Sequence, residues 1–318
     1  MNLNGIVAYI AIRVLSFTTV IFFITTLIFL VSTIVLARKV RRNGGADNAL
    51  NGKGVDAHAT SVNPFTFDVV MMQNQGKREY QQDSFYLSDK DNKAQTTEKG
   101  LLAVVADGMG GLQDGKAISE ITVDAFKNLF NSSPVTEPRK FLTECVYRAE
   151  TCVDEYMNEH AMKGGSTVIS TIIRNNQLHY VSVGDSSIFL ARKNSVTRLN
   201  NHHNYAAVLQ SKVRQGRITQ QEADTDPMRS RITSFIGMGD INEVDANPEP
   251  IPLQPDDILI LCSDGVANAL GNDALLNVIS SGEFSGLGDR MEETVLSQNI
   301  KNQDNFTAVV IKCKEIIN

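Results

Sequence analysis

Hydrophobic positions follow two different patterns along this chain. Near the N-terminus, residues 14–37 contain no charged side chain and are dense in Ile, Phe, Leu and Val. Further along, short apolar runs such as residues 101–106 and 258–262 end at turn-forming residues, which is typical of buried strands. Other segments carry apolar residues at helical spacing, and this spacing predicts helices over residues 115–130 and 138–162.

The order of these elements indicates the fold class. Strands are also predicted over residues 166–173 and 178–183, and the Asn175-Asn176 pair is expected to form the turn between them. Pairs of helices are separated by consecutive strands, whereas a parallel sheet would need strands and helices that alternate one by one. The sequence therefore predicts an α+β domain over residues 65–318, with antiparallel sheets flanked by helices.

The uncharged segment at residues 14–37 is long enough to cross a membrane. As a helix that rises ~1.5 Å per residue it would span about 36 Å, which exceeds the bilayer core of about 30 Å. Its Thr and Ser hydroxyls can bond to carbonyls of the same helix. No small-x-small cleavage site precedes Arg38, as a removable signal peptide would require. We predict a single transmembrane helix, over the alternatives of a signal peptide and a buried core helix.

Charges beside this helix predict its orientation. Four basic residues lie within residues 38–42, against Arg13 and the amino terminus on the other side. The positive-inside rule therefore places everything after residue 42 in the cytoplasm. Residues 43–64 are rich in Gly, Asn and Ala, and we predict that they form a flexible linker between the N-terminal segment (1–42) and the domain.

Composition restricts the class of protein. The 318-residue chain has 42% hydrophobic and 21% charged residues, which is ordinary for a folded domain. The formal net charge is -6 and no long basic tract occurs outside the segment beside the predicted helix, so nucleic acid is not expected as a partner. The four cysteines show no CxxC spacing and are expected to be free thiols in a reducing compartment.

Carboxylates recur where the predicted strands begin or end. Asp107 and Asp264 each follow an apolar run and precede a glycine, Asp185 lies in a third turn of this kind, and Asp304 lies just before the last apolar run. Several strand-end aspartates with few nearby Cys or His residues favour a hard cation such as Mg²⁺ or Mn²⁺. This pattern is more typical of an enzyme than of a structural metal site.

With the upstream segment that contains Arg78, these turns resemble the metal-dependent Ser/Thr protein phosphatases, the PPM or 2C-type family, in their bacterial form. The resemblance covers about residues 65–313, and the matching elements occur in the order that the family has. They are Arg78 with Gln82-Asp83, Asp107-Gly108-Met109-Gly110-Gly111 with Gly115, Gly165-Ser166-Thr167, Val183-Gly184-Asp185-Ser186, Ser263-Asp264-Gly265, Asp304-Asn305 and a stretch from Val208 to Gly237 that resembles the family's flap.

The resemblance implies an α-β-β-α sandwich of two antiparallel sheets, with two Mn²⁺ or Mg²⁺ ions at one end. It implies hydrolysis of phosphoserine and phosphothreonine in proteins by a metal-activated water. Asp107 would bridge the two ions, the backbone carbonyl of Gly108 would bind one of them, and Asp264 and Asp304 would hold the other.

Three further residues have roles only through the resemblance. Asp83 would orient metal-bound water, Asp185 would hold a weaker third metal, and Arg78 would bind the substrate phosphate through its planar guanidinium. Taken without the family, Asp83 is equally a turn residue or strand cap, Asp185 a hairpin turn residue, and Arg78 a solvated surface arginine.

Two positions depart from the pattern of eukaryotic members. Gln82 stands where many of these carry a glutamate tied to one metal, and Met109 replaces a histidine proposed as a general acid. His202 and His203 precede the flap-like stretch, but we expect a solvated or structural role for both rather than a catalytic one.

Two other functions compete with the phosphatase interpretation. A catalytically inactive phosphoprotein-binding or scaffold module would need a broken set of metal ligands, and none of the principal carboxylates is missing. A metal-dependent nuclease or phosphodiesterase would need a basic groove, which the acidic composition does not favour. The predicted partners are phosphoprotein substrates and a Ser/Thr kinase that the enzyme opposes, at the cytoplasmic face of a bacterial inner membrane.

Overall fold

The computed structural model of the protein describes residues 65–110 and 114–315. The predicted transmembrane helix at residues 14–37, its basic flank and the linker at 43–64 lie outside the described residues. Among the helices that are described, none combines the length and the apolar character that a membrane crossing requires.

The strands of the described residues form two sheets in which every neighbouring pair is antiparallel. The strands are β1 Thr66–Asn74, β2 Asp83–Leu87, β3 Leu101–Gly110, β4 Gly164–Ser166, β5 Val168–Arg174, β6 Gln177–Val183, β7 Ser187–Arg192, β8 Ser195–Arg198, β9 Asp245–Ala246, β10 Ile251–Pro252, β11 Ile258–Cys262 and β12 Phe306–Lys314. One sheet has the order β1-β12-β11-β7-β8. The other has the order β10-β6-β5-β3-β2, with β4 paired to β3 and β9 paired to β6.

The helices agree closely with the apolar periodicity of the sequence. They are α1 Lys93–Glu98, α2 Asp114–Ser132, α3 Pro138–His160, α4 Tyr205–Arg214, α5 Gln220–Thr225, α6 Asp264–Ala267, α7 Asn272–Ser280 and α8 Leu287–Ser297, with a 3₁₀ turn at Phe284–Gly286 before α8. The two predicted helices, at 115–130 and 138–162, correspond to α2 and α3. Helix α3 ends at Ala161, which adopts a left-handed backbone with φ of 53°, a common helix stop.

The strand that was predicted over residues 166–173 is divided in two. Strand β4 ends at Ser166 and β5 begins at Val168. Ser166 pairs with Gly108 of β3 and also forms an isolated bridge with Ile236. Thr167 instead bonds through its N–H to the carbonyl of Asp107 at 2.9 Å. These contacts with distant segments break the ladder, and nothing in the local apolar pattern indicates them.

Strand β3 lies at the centre of the layered structure. Its side chains alternate between two faces, so Leu102, Val104 and Ala106 pack against α2 and α3, while Leu101, Ala103 and Val105 pack against the other sheet. Both faces are buried, which explains why residues 101–106 form an unbroken apolar run.

The five-stranded sheet has its own helical cover. Alternate residues of β11, including Ile258 and Ile260, pack with Leu275 of α7 and Met291 of α8. The layers are therefore helices, sheet, sheet and helices, with one apolar core at each interface. The predicted α+β domain with an α-β-β-α sandwich is confirmed.

Antiparallel pairing brings the predicted acidic turns to one end of both sheets. The first residue of β2, Asp83, lies opposite Asp107 near the end of β3. In the other sheet, Cys262 at the end of β11 lies opposite both Ala308 near the start of β12 and Ser187 at the start of β7. Residues that are far apart in sequence thus meet at one edge, because the end of one strand adjoins the start of its antiparallel neighbour.

Candidate metal centre

The backbone around Asp107 is held from two sides. The Asp107 N–H donates to the hydroxyl of Thr167 at 3.2 Å. Its carbonyl accepts from the Thr167 N–H at 2.9 Å and from the Ser166 hydroxyl at 3.1 Å. Ser166 and Thr167 are almost fully buried, so these bonds fix the direction in which the Asp107 side chain leaves the strand.

Glycine is required next to this carboxylate because two segments touch there. A Cβ at Gly108 would collide with the carbonyl of Gly115, and a Cβ at Gly115 would collide with the side chain of Gln82. The Gly108 N–H also donates to the Gln82 carbonyl at 3.2 Å. The start of α2 and the segment before β2 can therefore approach the end of β3 only because both positions are glycine.

Asp83 is deeply buried, with 4% of its surface exposed. The Ser263 hydroxyl donates to its Oδ2 at 2.8 Å, whereas its Oδ1 is buried without a hydrogen-bond partner among the described residues. Burial raises the pKa of Asp83 to about 6, although hydrogen bonds from Thr307 and Ser263 act in the opposite direction. A buried carboxylate oxygen without a donor is costly unless a cation or water satisfies it.

Asp264 is the first residue of α6, directly after β11. Asn268 donates to its Oδ2 at 3.1 Å, and its Oδ1 is buried without a partner in the described part of the chain. Burial raises the pKa of Asp264 to about 7, with further contributions from Asp185, Asp304 and Asp83. Asp264 and Asp83 thus present two unsatisfied oxygens at the same sheet edge.

Neighbouring carboxylates contribute to the raised pKa of Asp107, as they do for Asp264. The pKa of Asp107 is raised well above its usual value, first by burial and then by Asp83, Asp264, Asp304 and Asp185. Burial also raises the pKa of Asp185. Like charges held this close need a compensating cation to remain ionised together. Asp107 thus lies within electrostatic range of the other four predicted carboxylates.

This donor set fits hard divalent cations that keep part of their water shell. Within the described residues, no three His, Cys, Asp or Glu side chains converge tightly enough to enclose an ion by themselves. Mg²⁺ is commonly held by one or two carboxylates and several waters. Unsatisfied carboxylate oxygens beside the backbone of Gly108 match that mode better than a closed cage such as a structural zinc site.

Arg78 lies at the open side of the same edge. Its Nη2 donates to Asp304 Oδ2 at 2.6 Å, and its side chain is 55% exposed. This ion pair is the main reason that the pKa of Arg78 is raised. A guanidinium has five N–H donors, so the remaining donors of Arg78 are available to an anion from solvent. The structure therefore places Arg78 beside the carboxylates, as the sequence predicted.

Asn305 holds the segment that carries Arg78. Its Nδ2 donates to the carbonyls of Gln75 and Tyr80 at 2.8 and 3.0 Å, and its Oδ1 accepts from the Gln82 N–H at 2.8 Å. Sequence reasoning assigned no role to Asn305, Ser263 or Thr167, although all three stand inside the matching motifs. For Asn305 and Ser263 the available signal was their position directly beside Asp304 and Asp264, and for Thr167 it was its place in the Gly165-Ser166-Thr167 motif.

Asp185 belongs to a turn that His203 supports. The His203 N–H donates to the Gly184 carbonyl at 2.8 Å, and the Gly184 N–H donates back to His203 Nδ1 at 3.2 Å. His202 Nε2 lies 2.8 Å from the Ser187 hydroxyl. Burial lowers the pKa of both histidines, to about 4 for His202. These contacts show a structural role for both histidines, which is one of the two roles that the sequence predicted.

Comparisons with known proteins agree with this geometry. A sequence model of the protein phosphatase 2C family matches residues 74–303. A 2C-type protein phosphatase of Streptococcus pyogenes serotype M6 is 30% identical over 240 residues, which cover 74% of this chain and 92% of that protein. The protein phosphatase PhpP of Streptococcus pneumoniae is 27% identical over 244 residues, covering 75% of this chain and 94% of that protein.

Solved structures share the fold. The crystal structure of the Mycobacterium tuberculosis serine/threonine phosphatase PstP/Ppp superposes with a TM-score of 0.66 at 24% identity, covering 78% of this chain and 99% of that one. A structure of the PstP catalytic domain in complex with 2 manganese ions gives a TM-score of 0.63 at 22% identity and covers 79% of this chain. The chain therefore belongs to the protein phosphatase 2C family, and the prediction that it is a protein serine/threonine phosphatase is confirmed.

Proposed function

We propose that the protein removes phosphate from phosphoserine and phosphothreonine in proteins, with two Mn²⁺ or Mg²⁺ ions bound at the acidic edge. The observation that carries this proposal is the meeting of five aspartates at one end of both sheets. One buried oxygen of Asp83 and one of Asp264 have no hydrogen-bond partner among the residues that the structure describes. The family assignment and a structural neighbour in complex with 2 manganese ions support the same metal pair.

In this proposal the two ions would be held by Asp107, which would serve both, by the Gly108 carbonyl for one of them, and by Asp264 and Asp304 for the other. The ions, when bound, supply a hydroxide nucleophile near neutral pH and neutralise charge on the phosphoryl oxygens. Asp83 orients water through its free Oδ1, because its Oδ2 is already held by Ser263. Asp185 is the candidate ligand of a third, weaker ion.

Arg78 positions the phosphate in this scheme. One edge of its guanidinium is fixed by Asp304, and the exposed donors bind two phosphoryl oxygens. The ion pair with Asp304 orients the guanidinium before substrate arrives, which lowers the entropy that binding costs.

At two positions, Gln82 and Met109, this chain departs from the pattern of eukaryotic members, so other groups must supply part of the chemistry. Gln82 is neutral, so one ion has less negative charge nearby than a glutamate would provide. The thioether of Met109 has no proton to give, so a group other than this residue must protonate the leaving alkoxide. Both features concern the route of the proton and the affinity for metal, and neither removes one of the proposed ligands.

The hydrolytic function is tested with the full chain purified in detergent. We expect hydrolysis of p-nitrophenyl phosphate and of a phosphothreonine peptide with added Mn²⁺ or Mg²⁺, and loss of both activities in EDTA. Cleavage of a phosphodiester substrate at a comparable rate would favour the nuclease alternative. Tight phosphopeptide binding without any hydrolysis would favour the inactive scaffold.

We also propose that residues 14–37 anchor the enzyme in the inner membrane, with the domain in the cytoplasm, where it opposes a Ser/Thr kinase. Support comes from the length of the uncharged segment and the basic residues that follow it. The protein should pellet with membranes and resist carbonate washing. Full-length protein in the soluble fraction would contradict the anchor, and digestion of the domain by protease outside intact spheroplasts would contradict its orientation. Phosphoproteomics of a deletion strain would test the kinase partnership.

A further inference from the structure

A mostly apolar pocket of about 530 Å³ lies directly beside the candidate metal centre. We call it the flap pocket, because it separates the end of β3 from the second half of the flap-like stretch, residues 208–237. The residues that matter for its chemistry are Met109, Gly110, Lys163, Gly165, Ile232 and Phe235. The first two of these follow the metal-binding turn on the same strand.

The floor of the flap pocket is nearly bare backbone. Met109 and Gly110 pair with Gly165 and Gly164 across the β3–β4 ladder. The ring of Phe235 packs so closely on Gly165 that a Cβ at this glycine would collide with it. The flap segment around Phe235 therefore lies directly on the backbone of Gly165, and the lack of a side chain at this glycine allows that contact.

The wall that carries Phe235 is held in place by an acid from α3. Glu150 is 6% exposed, and its two oxygens accept from the N–H groups of Gly237 and Gly239 at 2.6 and 2.7 Å. Next to Phe235, Ile236 exchanges backbone bonds with Ser166 at 2.8 and 3.0 Å. The pocket wall is thus fixed both to α3 and to the segment that supports Asp107.

The flap pocket lies close enough to Asp107 for one bound peptide to reach both. Met109 and Gly110 follow Asp107 by two and three residues along β3, which corresponds to about 7–10 Å at ~3.3 Å per residue. In an extended peptide, the phosphoryl group and the end of a neighbouring side chain are separated by a comparable distance. The flap pocket therefore lies within reach of a side chain close to the phosphorylated residue.

The rim of the pocket is basic although the chain as a whole is acidic, with a formal net charge of -6. Lys163 and Ser230 line it, and Arg231 follows Ser230; all three are exposed. Neither Lys163 nor Arg231 forms an ion pair with any residue that the structure describes. An uncompensated cation, Lys163, at the edge of an apolar pocket favours a ligand with an acidic group beyond an apolar one.

We infer that the flap pocket selects the substrate sequence: it takes a bulky apolar side chain next to the phosphorylated residue, with an acidic residue beyond it facing Lys163. This inference rests on the proposed protein phosphatase function and names the class of phosphopeptide that the site prefers. Phe235 and Ile232 provide the apolar contact.

The test compares phosphothreonine peptides that differ only beside the phosphorylated residue, assayed with the full chain and Mn²⁺. Each peptide carries Leu or Ser at a neighbouring position and Asp or Lys one position further, on either side. We expect kcat/KM to be about tenfold higher for Leu than for Ser on one side, as is usual for filling an apolar subsite. Asp should exceed Lys by several-fold, and this difference should shrink with added salt.

Two variants assign the preference to the pocket. Ile232→Ser should reduce the Leu-over-Ser ratio to near one, whereas Met228→Ser should keep it, because Met228 is an exposed apolar flap residue that does not line the pocket. Lys163→Glu should reverse the Asp-over-Lys preference, and an exposed lysine can be replaced without loss of folding.

The outcomes separate this inference from the proposed function. Equal kcat/KM for all peptides, or a Leu preference that Ile232→Ser retains, would overturn the pocket assignment while phosphatase activity stands. Absence of metal-dependent hydrolysis of every peptide and of p-nitrophenyl phosphate would overturn both. The measurement on the unmodified protein decides the selectivity even if Ile232→Ser folds poorly.

Discussion

The acidic sheet edge and the flap are neighbouring regions with opposite construction. The edge is made of strand ends whose supporting side chains, such as Ser166, Thr167 and Ser263, are almost fully buried and hydrogen-bonded. Over residues 208–233 of the flap, only Leu209 and Ala223 are buried. One region is fixed by two sheets, and the other is attached by a small number of contacts.

This difference indicates that the two regions have different roles in the reaction. Groups that must hold metal ions within tenths of an ångström benefit from a rigid support. A surface with few buried contacts has low local stability and can adapt to different peptides. Changes at the edge should therefore affect every substrate equally, whereas changes that involve the flap should depend on the substrate.

The largest effect is expected when the edge loses a carboxylate charge. Asp107→Asn and Asp264→Asn should each lower kcat by roughly a thousandfold or more on both p-nitrophenyl phosphate and phosphopeptides, because the nucleophile depends on both ions. In EDTA the same variants should melt at a higher temperature, since mutual repulsion among buried carboxylates is relieved.

The control for this prediction is Asp273→Asn, at an exposed position of α7. It should change neither kcat nor the melting temperature in EDTA. Near wild-type activity of Asp107→Asn at saturating Mn²⁺ would show that Asp107 is not the bridging ligand.

The next effect concerns Arg78, which faces solvent at the boundary of the edge. Arg78→Ala should reduce kcat/KM about ten- to a hundredfold, because a charge-assisted two-oxygen contact contributes about 1.5–3 kcal/mol. Arg78→Lys should recover only part of the loss, since an ammonium cannot form two parallel bonds. Arg139→Ala, at an exposed position of α3, is the matched control. Wild-type kinetics of Arg78→Ala on a phosphothreonine peptide would make it an ordinary surface arginine.

A smaller effect that depends on the substrate is expected at Glu150. Glu150→Gln replaces one of two charge-assisted acceptors for Gly237 and Gly239, which should cost about 1–3 kcal/mol of stability. Phosphopeptide kcat/KM should fall by several-fold, and p-nitrophenyl phosphate hydrolysis should fall less. The exposed Glu144 on the same helix provides the control variant Glu144→Gln. Equal losses on both substrates would show that Glu150 acts on the metal edge and not through the flap.

The smallest effect is a pH dependence that comes from His202, which lies between the two regions. Burial, together with Arg198 and His203, lowers its pKa to about 4 from a usual value near 6.5. As pH falls from about 6.5 to about 4, the unfolded chain takes up a proton that the folded state resists, so stability decreases. Above pH 6.5 this contribution is constant.

Between these pH values the free energy of unfolding should fall by about 1–3 kcal/mol less in His202→Gln than in the unmodified protein. The measurement is urea unfolding at pH 4.5, 5.5 and 7, with His160→Gln at an exposed position as the comparison. A pH profile that His202→Gln leaves unchanged would contradict the buried, neutral histidine.

Local sequence patterns were sufficient for the elements and for the layered fold. Helices α2 and α3 follow from apolar spacing, and the Asn175-Asn176 turn follows from residues that tolerate positive φ. The single strand that was predicted over residues 166–173 is interrupted at Thr167, and Ser166, which pairs with Gly108 in the β3–β4 ladder, also bonds to Ile236. That partner is 70 residues distant, and no local pattern can indicate it.

The sequence by itself determined that Asp83, Asp107, Asp185, Asp264 and Asp304 stand at strand ends, because a buried strand interior cannot accept a free carboxylate. It also predicted that these residues carry the chemistry. Only the tertiary structure decided which of their oxygens are unpaired, that Arg78 binds Asp304, and that Glu150 fixes the wall of the flap pocket. The reason is physical. Burial and strand spacing act over a few residues and leave a periodic pattern, whereas these contacts join segments that antiparallel pairing and packing bring together from distant parts of the chain.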